Sequence, residues 1–300
     1  MNAQTKRRMK ILLADDGSQH AQAAVKMLQE LPIPPRSRVH VMRVFPPGQS
    51  FAVGQMERNL RHTEEQLLEG DLKVDAELVL GYPAEKIIEI AAQTKPDLIL
   101  IGAKGLRATL GILLGGVAQQ VVEYASAPVL VVRAPYHGLH RVLLVTDGSK
   151  HSRRAARYLG KFPLPEKADV RLIHVLPPLT TPVVMEPYFG GRDAYVPLYD
   201  PKKEARLKAR QKREGEALLE RTQSLLLKKG IEATPVLTRG DAATEIIDYT
   251  DKEDIDLIIA GSRGLSSFQG WLMGSVSRKL VHYSNCSVLI VKQPETKKQK

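Results

Sequence analysis

The chain has 300 residues, of which 43% are hydrophobic and 26% are charged, and its formal net charge is +11. Since one domain commonly takes about 100 to 200 residues, this length predicts two domains. The single cysteine, Cys286, excludes an intrachain disulfide and gives no support to a structural zinc site. No apolar run is long enough to suggest a membrane span, and the short apolar run near the N-terminus does not resemble a signal peptide. We therefore expect a cytoplasmic protein.

The positive charge is uneven along the chain. Residues 1–138 carry 16 Lys/Arg against 14 Asp/Glu, whereas residues 139–300 carry 28 against 19. Much of the excess falls between residues 202 and 213, in a predicted long helix. Basic runs bind nucleic acid or membranes in some proteins, but here aromatic residues are missing and glutamates dilute the charge. The sequence alone favours a solvated helix, and we do not expect nucleic acid as a partner.

The chain contains an internal repeat. Residues 10–20 return as 141–151, at an offset of 131, and 81–88 and 97–102 return as 240–247 and 256–261, at an offset of 159. The change in offset places an insertion of 28 residues in the second copy, at about 177–205. Pro135 and Gly138 indicate a short linker. The predicted domains are therefore residues 1–135 and 140–293.

Each copy alternates short apolar strands with helices. In the first copy we predict strands near 9–14, 39–44, 74–80, 97–102 and 128–133, and helices near 18–30, 56–69, 83–94 and 116–125. The strands are continuous Val/Ile/Leu runs, which is typical of strands buried on both faces. Such alternation predicts βαβ units and a parallel sheet in each copy.

Two segments of each copy are candidates for a ligand site, because ligands bind at the carboxyl ends of parallel strands. The first is the Asp-Gly-Ser turn after strand one, which begins at Asp16 and Asp147. The second is a glycine-spaced loop, which runs from Gly102 to Gly116 and from Gly261 to Ser275. Glycines let the backbone approach an anion, and a helix N-terminus offers free N–H groups to phosphate.

These spacings resemble the universal stress protein family. The second copy matches the family's G-x2-G-x9-G-(S/T) signature completely, whereas the first has Gly116 in place of the Ser/Thr. The resemblance covers nearly the whole chain and implies two Rossmann-like (adenine nucleotide α-hydrolase-like) α/β domains, each a five-stranded parallel sheet flanked by helices. It also implies frequent dimerisation and, in members with the signature, ATP binding. We expect self-association through the last strand of each copy, either between the two copies of one chain or between two chains.

The resemblance assigns candidate ATP contacts in both copies. Aspartates 16 and 147 are expected near adenine and ribose, and the ends of the second strands supply backbone contacts to adenine. The candidates in the second copy are Thr146, Asp147, Val175, Gly261, Arg263, Gly264, Gly274, Ser275, Val276 and Ser277. Those in the first, weaker copy are Asp16, Val44, Gly102, Lys104, Gly105, Gly115, Gly116 and Val117. We expect no catalytic residues and no metal held by protein side chains alone; ATP would enter with Mg²⁺.

Structural roles compete with each of these assignments. Ser275 could simply cap its helix, Asp147 could be a turn residue, the glycines could serve tight turns, and Arg263 and Lys104 could be solvated. His20 and His151 are predicted on the surface of the first turn of a helix. The favoured function is an ATP-binding stress or regulatory protein with little turnover. A dimeric scaffold that binds no nucleotide and a slow ATPase or phosphotransferase remain alternatives.

Overall fold

The computed structural model describes residues 7–48, 53–105, 114–179, 201–264 and 273–292. In these ranges strands and helices alternate along the chain. The strands are β1 (Lys10–Ala14), β2 (Arg38–Phe45), β3 (Lys73–Leu80), β4 (Leu98–Gly102), β5 (Val129–Val132), β6 (Arg141–Val145), β7 (Asp169–Leu176), β8 (Thr234–Arg239), β9 (Leu257–Gly261) and β10 (Ser287–Val291). The helices are α1 (Gln19–Glu30), α2 (Val53–Leu68), α3 (Pro83–Thr94), α4 (Gly116–Tyr124), α5 (Lys150–Leu159), α6 (Pro201–Leu227), α7 (Ala242–Lys252) and α8 (Ser275–Tyr283).

All ten strands form one sheet, in the order β3-β2-β1-β4-β5-β10-β9-β6-β7-β8. Within each half the five strands are parallel, as the sequence predicts. The central strands β4 and β9 are buried over nearly their whole length because both faces are covered by helices. The α/β fold class is confirmed. None of the helices in the described ranges has the length and apolar character that a bilayer crossing requires.

The two halves join through β5 and β10, which pair antiparallel. In this pair Leu130 lies opposite Leu289, and these two residues occupy the same position in the two copies. The halves are therefore related by an approximate two-fold axis, as in an isologous dimer. Since each terminal strand already pairs with the other within the chain, neither edge is open to a second chain.

The helices form two layers, one on each face of the sheet. Helices α1, α2, α5 and α6 bury residues such as Leu28, Leu60 and Leu219 in one apolar core. Helices α3, α4, α7 and α8 bury residues such as Ile87 and Leu280 in the other. The second layer places the N-termini of α4 and α8 beside the carboxyl ends of the strands.

Part of the predicted insertion lies outside the described residues, which leave out 180–200. Residues 201–205 form the first turn of α6, which is 27 residues long. Its counterpart α2 has 16 residues. The second half therefore carries a longer helix at the position where the sequence predicts extra residues.

Candidate functional site

A cavity of about 580 Å³ opens at the carboxyl ends of β6, β7 and β9, between the N-termini of α7 and α8. Its size falls within the range of small-molecule pockets, roughly 300–1,000 Å³. All ten candidates of the second copy line it: Thr146, Asp147, Val175, Gly261, Arg263, Gly264, Gly274, Ser275, Val276 and Ser277. The fold brings together residues that are up to 131 positions apart in the sequence.

The Asp147 turn closes one side of this cavity. The carboxylate Oδ1 of Asp147 accepts a hydrogen bond from the backbone N–H of Ser149 at 2.9 Å, and Gly148 has a φ of 77°, which favours glycine. A Cβ on Gly264 would lie 2.8 Å from the other carboxylate oxygen. Asp147 is thus both a turn residue and a lining residue, and Gly264 lets its carboxylate approach the loop.

Ser275, the first residue of α8, lines the wall of the cavity. Helix α8 begins at Ser275, and its N-cap is Gly274, which has no side chain to cap the helix. The alternative in which Ser275 is the capping residue is therefore wrong. The Ser275 side chain and the first N–H groups of α8 remain at the cavity wall, where the helix dipole attracts an anion. A Cβ on Gly274 would lie 3.3 Å from the Cα of Arg263, so the two ends of the glycine loop touch.

Three cationic residues line the cavity: Arg263, Arg278 and Lys279. The last two lie in the first turns of α8, three and four residues after Ser275, and the sequence analysis missed them. Their spacing behind the signature serine was the available signal, because residues three or four apart share a helix face. Arg278 Nη2 lies 3.3 Å from Glu123 Oε1 and Lys279 Nζ lies 3.5 Å from Asp241 Oδ1, so carboxylates offset part of their charge. The helix N-terminus and Arg263 contribute further positive charge to this wall.

Buried polar contacts hold the strand ends behind the cavity. His174 Nδ1 lies 2.8 Å from the carbonyl oxygen of Thr146, and the Ser277 hydroxyl donates to the carbonyl oxygen of Gly261 at 2.7 Å. A Cβ on Gly261 would lie 2.6 Å from the backbone of His151. Gly261 is therefore required by the packing of α5 against β9 as well as being part of the cavity wall.

The predicted surface position of the two histidines is wrong for His151, which is only 6% exposed. The first turn of α5 packs directly against the end of β9, so the ring has little contact with solvent. Burial lowers the pKa of His151, and Lys150, Arg154 and Arg263 lower it further. His20 is half-buried, and its Nδ1 accepts a hydrogen bond from the backbone N–H of Ala134 at 2.8 Å.

The first half has an equivalent but smaller cavity of about 250 Å³. Seven of its eight candidates line it: Asp16, Val44, Gly102, Gly105, Gly115, Gly116 and Val117. Lys104 is not among its lining residues, and its assignment stays a prediction. Its charge instead lies close enough to His20 to lower the pKa of that imidazole, after the larger effect of burial.

Two differences between the copies make the first cavity smaller and more negative than the second. Ile101 stands where the second copy has Ala260, and both line their cavities. Asp15 stands where the second copy has Thr146. Among the described residues that line the first cavity, Asp15 and Asp16 are the charged ones, and no cation is among them.

The carboxylate of Asp15 is held in a buried ion pair that the sequence analysis did not detect. Arg43 Nη2 lies 2.6 Å from Asp15 Oδ2, and the Thr63 hydroxyl donates to the same oxygen at 3.0 Å. Asp15 and Arg43 are 3% and 5% exposed. In the second half the equivalent positions hold Thr146 and His174, which are joined by a hydrogen bond to the Thr146 carbonyl oxygen and not by an ion pair.

Comparison with known proteins identifies the family. The model of the universal stress protein family matches residues 7–133 and again residues 138–292. The chain belongs to the universal stress protein family. Both copies are covered by this match, so the repeat in the sequence is a tandem of universal stress protein units.

Several universal stress proteins are similar to this chain. One from Thermus aquaticus is 36% identical over 133 residues, covering 41% of this chain and 97% of its own length. One from Mycolicibacterium smegmatis is 25% identical over 321 residues, covering 94% of this chain and 96% of its own. The crystal structure of one from Archaeoglobus fulgidus superposes with a TM-score of 0.67 over 97% of this chain and 99% of its own, at 19% identity, which shows the shared fold.

Proposed function

We propose that the second half, within residues 140–293, binds ATP with Mg²⁺ in the cavity between β6, β7, β9 and α8. The observation that carries this proposal is the cavity of about 580 Å³ whose wall combines a helix N-terminus with cationic residues. A triphosphate needs N–H donors and positive charge, and both are present on the same wall. The close approach of Gly274 to Arg263 supports it as well, because it brings a cationic residue beside the helix N-terminus.

The two sides of the cavity would serve different parts of the nucleotide. Val175 and Asp147 line the side at the ends of β6 and β7, where the family resemblance places adenine and ribose. Ser275, Val276 and Ser277 line the side of α8, where the phosphates would meet the backbone N–H groups. Thr146, Gly261, Arg263, Gly264 and Gly274 complete the proposed contacts. The same positions of the first half form a weaker site.

We propose a regulatory binding role with little or no turnover. The support for this role is the family resemblance, which implies ATP binding and assigns binding contacts to these residues. A slow ATPase would release ADP in proportion to the amount of protein, and Ser275→Gly would reduce the release at limiting ATP. A scaffold that binds no nucleotide would give no saturable heat of ATP binding.

Titration calorimetry with ATP and Mg²⁺ tests the proposal. We expect one tight site, which Ser275→Gly weakens and Gly116→Ala leaves unchanged, because only the first variant alters the second cavity. The chain's one tryptophan, Trp271, lies between Gly264 and Gly274 and outside the described residues. Its emission should change as ATP binds. No heat and no change in emission would contradict a site in the second half.

A further inference from the structure

The outer face of the second half is strongly basic, whereas the same face of the first half is not. Helices α5 and α6, which cover this face of the second half, contain twelve Lys/Arg against four Glu. Helices α1 and α2 occupy the equivalent positions in the first half and contain three Lys/Arg against four Glu. The fold is the same on both sides, so the charge is a property of the second copy and not of the architecture.

The tertiary structure places the cations of α5 and α6 on one common surface. The buried residues of both helices, including Ala155 and Leu219, belong to the same apolar core. The opposite faces of the helices therefore point the same way. On α5 that face carries Lys150, Arg153 and Arg157, which are exposed.

The outward face of α6 continues this surface past the N-terminal end of α5, since a Cβ on Gly148 would lie 3.2 Å from Leu218 and one on Gly160 would lie 2.8 Å from Lys229. It carries Lys203, Arg206, Arg210 and Arg213, spaced three or four residues apart and therefore aligned along one side of the helix. The row is opposite the stripe formed by the buried residues Gly215, Leu219, Thr222 and Leu226. We call the α5 and α6 rows together the basic face.

The start of α6 extends this face beyond the sheet. Arg239, the last residue of β8, donates to Gln211 Oε1 at 2.6 Å and to the carbonyl oxygen of Pro177 at 2.7 Å. Gln211 of α6 therefore lies beside the end of the sheet. Residues 201–210 precede this point, and all of them except Glu204 are exposed. At 1.5 Å per residue they project about 15 Å past the edge.

We propose that the basic face binds the phosphate backbone of double-stranded nucleic acid. The two rows follow one another along this face, so their cations can contact successive phosphates of a duplex, and such contacts need no base recognition. Five of the seven cations named in the two rows are arginines, whose guanidinium groups bind phosphate oxygens in pairs. The lack of aromatic residues, which argued against nucleic acid in the sequence, excludes base stacking on this run but not backbone binding.

A bilayer surface is a poorer match for the basic face. Helices that lie in a membrane interface insert a continuous apolar stripe, and the apolar stripe of α6 is buried against the sheet. In the projecting part of α6, the exposed large apolar side chain is Leu207, at 43% exposure. Anionic vesicles are therefore the competing partner in the test.

The test uses the full chain and a labelled duplex DNA of about 20 base pairs in fluorescence anisotropy at several salt concentrations. We expect salt-dependent binding, and we expect the variant Arg157→Gln/Arg206→Gln/Arg210→Gln/Arg213→Gln to lower affinity at least about tenfold at low salt. The slope of log K against log salt is negative, and in this variant its magnitude should decrease by about three to four, since each lost phosphate contact removes roughly 0.9.

The matched control removes four exposed cations from the first half: Lys26→Gln/Arg58→Gln/Arg61→Gln/Lys73→Gln. It changes the net charge by the same amount, and its slope of log K against log salt should stay within about one unit of the slope of the unaltered protein. An equal loss in both variants would show that net charge alone drives binding and would overturn the proposal. Binding to phosphatidylserine vesicles without binding to DNA would overturn it as well. Circular dichroism and ATP titration confirm that each variant is folded.

Discussion

Lys292 Nζ donates a hydrogen bond to the backbone carbonyl oxygen of Glu123 at 2.8 Å, across the boundary between the two halves. Arg133, the equivalent residue of the first half, donates to the carbonyl oxygen of Val281 at 2.8 Å. Each half thus places a cation at the C-terminal end of the other half's α4 or α8, where the helix dipole favours positive charge. These are the helices whose N-termini face the two cavities.

The buried Lys292 predicts a pH dependence of stability. Burial lowers its pKa from 10.5 to about 8. Between these values the unfolded chain binds more protons than the folded chain, so stability rises with pH. Relative to Lys292→Met, the native protein should gain at most about 3 kcal/mol between pH 8 and 10.5, at roughly 1.4 kcal/mol per pH unit. Urea unfolding at pH 7.5, 9 and 10.5 measures the gain.

Arg133→Met is the matched control for Lys292→Met. The guanidinium stays charged throughout this range, so the effect of its removal on unfolding should not vary with pH. A difference between native protein and Lys292→Met that is constant from pH 7.5 to 10.5 would refute the assignment of a lowered pKa to this amine.

The single departure from the glycine signature predicts two unequal sites. Ser275 supplies a hydroxyl that Gly116 lacks, and a hydrogen bond to a charged group contributes roughly 1.5–3 kcal/mol. Partial hydration brings the expected loss for Ser275→Gly to about tenfold in ATP affinity. A Cβ on Gly116 would meet nothing within 4 Å, so Gly116→Ser fits and should strengthen the first site. Two equal sites in calorimetry of the unaltered protein would contradict this.

The size of the cavities predicts a second difference in affinity. Ala260 is 3% exposed and lines the second cavity, where the first copy has the larger Ile101. Ala260→Ile should fill part of the second cavity and weaken ATP binding at least about tenfold, at a cost in stability of about 1–3 kcal/mol from overpacking. Ala260→Gly, which removes volume, serves as control in calorimetry. Unchanged affinity in Ala260→Ile would mean that ATP does not reach this strand.

The Asp15–Arg43 ion pair predicts a large effect on stability. Arg43→Leu leaves a buried carboxylate without its cation, which should lower the free energy of unfolding by about 3–5 kcal/mol in urea titration. The double variant Asp15→Thr/Arg43→His installs the residues that the second half uses at these positions and should recover most of the loss. A double variant as unstable as Arg43→Leu would show that the Thr/His arrangement depends on its own surroundings.

Much of the fold could be predicted because the repeat and the apolar strands are local signals. Strand β4, Leu98–Gly102, lies within one residue of its predicted position, and the turns at Gly17 and Gly148 adopt the positive φ that glycine allows. The cavity of the second half also follows from the sequence, since parallel strands bring their carboxyl ends to one edge. Burial of His151 could not be predicted in this way, because it depends on how closely α5 approaches β9.

The sequence by itself determined the two α/β units, the glycine loops and the difference between Ser275 and Gly116, since each is written in residues close together in the chain. Only the tertiary structure decided that β5 pairs with β10 within one chain, that Arg43 neutralises Asp15, and that α5 and α6 combine their cations on one face. These relationships join residues 28 or more positions apart. They depend on strand register and helix packing, which periodicity along the chain does not specify.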